Sequence, residues 1–175
     1  TLDTEMQNHA EEAIFKNIEV YSERYGWIEK NNFAEELGDQ FFDQIVLNGP
    51  SIIFEAVDET DNSESIFNKL VEIFESHKIP DRYLRALIAD VQKDQVTVLT
   101  ENYDKEILIW DDQYDWARKR LNNKKGPKPD NFFDLVRKGD LVTLSNSESN
   151  QRIIQIPPAE AAFVSMNPKN GHIKT

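Results

Sequence analysis

The chain has 175 residues and a mass of 20.3 kDa; at this size about 70% of the unfolded surface is buried on folding, and one domain is the simplest arrangement. With 39% hydrophobic and 30% charged residues and a mean hydropathy of -0.63, it reads as a foldable, soluble chain, and no stretch approaches the roughly 20 apolar residues that span a bilayer. The lack of cysteine excludes disulfides, thiolate zinc sites, iron–sulfur clusters and a cysteine nucleophile, while the net charge of -12 is lopsided: residues 1–75 hold 18 acidic and 4 basic side chains (-14) and residues 76–175 hold 14 and 16 (+2).

Thr4 and Gln7 have the form of a capping box, and Met6, Ala10, Ala13, Ile14, Ile18, Tyr21 and Tyr25 recur at helical spacing up to Gly26, which predicts a long amphipathic helix. Between Phe33 and Leu47 a second helix can place Phe33, Leu37, Phe41 and Ile45 on one stripe, weakened by Gly38. After Gly49-Pro50, the run SIIFEAV reads as a short strand. Asp61 and Glu64 offer another capping box, and Ile66, Phe67, Leu70, Val71 and Phe74 give the apolar stripe of a helix from Ser63 to His77, which must stop before Pro80.

From Tyr83 onward the texture changes to five β-rich runs, YLRALIADV, QVTVLT, KEILIW, DLVTLS and RIIQI. The fold class is therefore α+β: a small five-stranded barrel of the oligonucleotide/oligosaccharide-binding (OB) kind, with flanking and inserted amphipathic helices. Its five strands are expected to make one closed or nearly closed barrel, with the Ser63 to His77 helix outside and Val96, Val98, Ile107 and Ile109 pointing inward. The longest interruption separates the third and fourth runs, where FFDLV at 132–136 can supply one turn of helix.

Chemistry-bearing motifs are sparse. His9, His77 and His172 lie far apart, so no histidine metal site is expected. Asp58 to Glu64 alternates oxygen ligands, but Ser63 stands where a calcium loop needs glycine and Lys69 where it needs a bidentate glutamate, which makes the run a helix cap. The glycines are scattered singly, against a phosphate loop, and no G-x-S-x-G is present. One compact feature stands out: Arg118, Lys119, Arg120, Lys124, Lys125 and Lys128 have no acidic residue among them and follow Trp110, Tyr114 and Trp116. On an OB barrel such a mixture can stack bases or sugars over an electrostatic track; the plainer reading is core aromatics beside a solvated basic loop. The candidate partner-binding residues are Trp116, Arg118, Lys119, Arg120, Lys124 and Lys125, with no catalytic residue, metal ligand or cofactor assigned.

Taken in order, the motifs resemble the segment between the two catalytic domains of class A penicillin-binding proteins of the 1A type. The opening resembles the start of the linker helix that follows the glycosyltransferase domain, through Thr1, Leu2, Asp3, Gln7, Ala10, Glu11 and Ala13. The Trp116-Ala117-Arg118 step, the Gly126-Pro127 turn and FFDLVRKGDLV are similar to that family's OB-like insert. The close, through Gln155, Pro157, Ala161, Val164, Asn167, Pro168 and Gly171, looks like the first strand of the transpeptidase domain.

The resemblance implies a linker helix at 1–26, an acidic helical insertion packed on the barrel at 27–80, an OB-like barrel at 81–158, and the first strand of a truncated transpeptidase domain at 159–175. It implies a noncatalytic part of a bifunctional peptidoglycan synthase, periplasmic and anchored in the inner membrane through the parent protein. Its partners would be the adjoining glycosyltransferase and transpeptidase domains and possible regulators or peptidoglycan, with no nucleic acid and no membrane contact by this segment. In some relatives the insert meets an outer-membrane lipoprotein activator. The transpeptidase signature S-x-x-K is absent, and Ser165-Met166-Asn167 and Lys174-Thr175 are isolated fragments of its other motifs. Residue 1 is Thr, so any targeting segment is expected to be removed or upstream, and the chain to be a piece. The competing function is a free-standing OB module for single-stranded nucleic acid or oligosaccharide.

Overall fold

The computed structural model describes residues 3–28, 30–51, 61–121, 124–145, 151–156 and 161–173. Helix α1 runs Thr4–Tyr25. Its N-cap is Asp3, whose carboxylate accepts from the Met6 N–H, one position earlier than the Thr4 box expected. The next apolar stripe does form a helix, but Gly38 breaks it into α2 (Ala34–Leu37) and α3 (Asp39–Asn48). Leu37, Phe41, Phe42 and Ile45 are buried. Of SIIFEAV, Ser51 is helical and the remainder lies outside the described residues. Helix α4 occupies Asp61–Ser76.

Five strands make one antiparallel sheet: β1 (Tyr83–Val91), β2 (Gln95–Thr100), β3 (Lys105–Ile109), β6 (Leu141–Ser145) and β7 (Ile153–Ile154), in the order β3-β2-β1-β6-β7. All five predicted runs supply strands, and FFDLV supplies the one-turn helix α5 (Phe132–Leu135). The sheet curls into a half-barrel. The closed or nearly closed barrel expected from the sequence is not completed by strand pairing, since β3 and β7 stay unpaired edges of the sheet among the described residues. Instead the chain after β3 crosses the opening: Trp110 stacks on Tyr114 at 5.2 Å, and the Tyr114 hydroxyl accepts from the Ile153 N–H of β7 at 3.3 Å.

Side chains alternate across a strand, so the sheet buries both faces. On the concave face Ala86, Ile88, Val96, Val98, Leu108, Val142, Leu144 and Ile153 pack around Trp27, Tyr114 and Phe132. On the other, Leu87, Ala89, Leu99 and Leu141 meet Phe42 and Ile45 of α3 and Leu70, Ile73 and Phe74 of α4. Val96 and Val98 point inward as expected, whereas Ile107 and Ile109 point outward, 51% and 61% exposed. The register explains the difference. Val96 pairs with Leu108, and directly paired residues share a face, so Leu108 fills the barrel and its two neighbours cannot.

Candidate functional site: the basic hairpin at the end of the linker helix

The basic run folds into a small antiparallel hairpin, β4 (Arg120–Leu121) and β5 (Lys124–Lys125), and it is docked on the C-terminal end of α1. Trp27, just beyond the helix, bridges Lys119 in parallel, its N–H donating to the Arg118 carbonyl at 2.8 Å. Gly26 makes this approach possible: at φ +97°, a Cβ there would lie 2.8 Å from the Arg118 carbonyl oxygen.

The cations divide by what they touch. Lys125 donates to the Glu23 carbonyl at 3.0 Å, where a positive charge suits the helix C-terminus. The Arg120 guanidinium sits 4.4 Å from the centre of the Tyr25 ring. Lys128 pairs with Asp115 at 2.6 Å. Arg118, Lys119 and Lys124 have exposed side chains. Trp116 is half-buried, its ring 5.8 Å from that of Trp27. Trp110 and Tyr114, the other aromatics beside the run, pack with Phe132 inside the barrel. The structure thus gathers all six candidate residues beside the C-terminal end of α1 and gives half of the basic run structural contacts.

Sequence reasoning named the residue that organises this junction only as part of a strand pattern and gave it no role here. Gln155 is 4% exposed; its Nε2 donates to the Gly26 carbonyl at 2.9 Å and its Oε1 accepts from the Ile28 N–H at 2.7 Å. Its own carbonyl accepts from the Ser22 hydroxyl at 2.5 Å. The signal was a lone amide inside the apolar run RIIQI, where a buried polar side chain must find partners. Lys30 was missed as well. Its ammonium lies 4.5 Å from the centre of the Trp27 ring, in a small cavity of about 210 Å³ shared with Asn32, Lys119 and Asp140. Burial lowers its pKa to about 8 despite the opposing pull of Asp140.

The family sequence pattern described as the penicillin-binding protein OB-like domain matches residues 53–159, more than half of the chain. The chain belongs to this family. Its relatives include Penicillin-binding protein 1A of Vibrio cholerae, 24% identical over 99% of this chain, and Penicillin-binding protein 1A of Escherichia coli, 20% identical over 99%. Penicillin-binding protein 1A of Pseudomonas aeruginosa is 35% identical over 51% of the chain. The chain spans 19%, 18% and 11% of these relatives' own lengths, respectively. The curled five-stranded antiparallel sheet is consistent with the partly open barrel of an OB-like domain. Among the described residues no helix is long and apolar enough to cross a membrane.

Proposed function

We propose that this chain is the noncatalytic OB-like unit of a bifunctional peptidoglycan synthase, holding a glycosyltransferase and a transpeptidase domain of its parent protein at a fixed spacing in the periplasm. The observation that carries this reading is the stapled junction. In a chain aligned end to end with much longer relatives, α1 is held to the barrel by Gln155, Lys125 and the Trp27–Arg118 hydrogen bond, all at the helix end where a hinge would otherwise form. The linker-helix, insertion, barrel and transpeptidase-strand boundaries given above belong to the same proposal.

The exposed cations Arg118, Lys119 and Lys124 are the part of the basic hairpin open to a regulator or to anionic cell-wall polymer. Exposed charges act mainly on association rate and are screened by salt. Reversing these three to Glu tests the surface while sparing Arg120 on Tyr25 and Lys125 on the helix end. Sedimentation with purified peptidoglycan at low ionic strength should fall several-fold, each exposed contact being worth about 0.2–1 kcal/mol, and added salt should bring the unaltered protein down to the same level. Equal sedimentation of the two proteins at low salt would remove the hairpin from recognition.

A further inference from the structure

Helix α1 has 22 residues and an amphipathic sequence, yet Ser22 is its one buried residue. The stripe that would normally face a core instead forms one wall of an open, mainly apolar groove of about 730 Å³. Met6, Ala10, Ile14, Ile18 and Tyr21 line that wall, and Phe163, in the C-terminal segment 161–165, stands opposite. Met6, Tyr21 and Phe163 are 43%, 49% and 55% exposed, and the neighbouring Val164 and Met166 are exposed as well. Apolar residues clustered in this way on a charged, acidic molecule mark a surface that another body covers.

We propose that this groove is the seat of the domain that follows residue 175 in the parent polypeptide, which lays an apolar ridge along α1. The inference rests on the reading above that the chain is one unit of a longer protein, and it names the surface by which that unit is held. Two observations select this occupant. Relatives aligned over 99% of this chain devote only 18–19% of their length to it, so several-fold more protein accompanies it there. The second wall of the groove is the C-terminal segment itself, so a domain joined beyond it is tethered beside the apolar surface at an effective concentration in the millimolar range. A second copy of this chain fits less well. Two chains that each carry -12 would have to meet face to face, and like net charges repel.

The test uses the full-length parent protein and peptide-resolved thiol labelling, since this chain contributes no native cysteine. Tyr21→Cys should react at least about tenfold more slowly with a maleimide than Glu12→Cys, which is outside the groove lining, because access requires the covering domain to open. Adding Met6→Glu and Phe163→Glu, both at exposed positions of this unit, should raise the Tyr21→Cys rate to that of the control. Equal rates before those changes, or protection that survives them, would overturn the proposal. Protection that appears only as protein concentration rises would assign the groove to a second copy and overturn it equally. The reading frame after residue 175 checks the underlying reading separately: a parent with no following domain defeats that reading, whereas a following domain with an unprotected groove defeats this inference alone.

Discussion

Gln155 illustrates how one buried side chain can decide a junction. Its amide satisfies the Gly26 carbonyl and the Ile28 N–H, two backbone groups at the end of α1. Gln155→Ala leaves both without this partner in a buried setting, and stability in chemical denaturation should fall by about 2 kcal/mol. No measurable loss would mean that water replaces the amide at no cost. Lys30 makes a prediction in pH. Its folded pKa of about 8 lies below the ordinary lysine value of 10.5, so between these values the unfolded chain binds the proton and the folded one does not. Stability should therefore rise from pH 8 to pH 10, by about 2 kcal/mol from this group, and Lys30→Met should abolish that rise. His77, lowered by burial first and by Lys30 and Arg85 after it, titrates below this window; Tyr83 and Tyr114, pushed up to about 12 chiefly by burial, and Tyr103, raised by burial, begin to oppose the rise as pH approaches the ordinary tyrosine value of 10. An identical pH slope in the variant would show that the Lys30 ammonium is not desolvated.

At the scale of elements, periodicity made the helices and strands legible, and register did not follow from it. KEILI offers isoleucine at 107 and 109 and leucine at 108, and all three suit a strand. Only the pairing with β2, Leu108 opposite Val96, chooses which set faces the core. The helical layer is joined to the sheet at a similarly exacting point. Gly139 has φ +86°, and a Cβ there would meet Ala34 at 2.5–2.8 Å, where the Phe33 N–H donates to the Gly139 carbonyl at 2.8 Å. Gly139→Ala combines a left-handed backbone with a clash against main chain. It should lower stability by at least about 2 kcal/mol in urea unfolding and loosen α2 and α3 in hydrogen exchange. A neutral result would imply that the 31–34 segment moves aside freely.

For the whole molecule, the sequence contains no S-x-x-K serine, and the reading as a noncatalytic unit makes a direct prediction. The chain incubated with a fluorescent penicillin should carry no label after denaturing electrophoresis, and a covalent adduct on any serine would refute that reading. Unaided, the sequence determined the class of fold, the five strand runs, the helix in the long connection and the family, because periodicity, turn chemistry and motif order are local or serial properties of a chain. The tertiary structure decided what depends on distance between remote residues. It divided the basic run into cations that hold α1 and cations that face solvent, turned Trp110 and Tyr114 into the plug of a half-barrel, and made Gln155 a staple between segments 127–133 residues apart. It also left the stripe on α1 open, since amphipathic spacing specifies that a face can be buried and only packing determines by what.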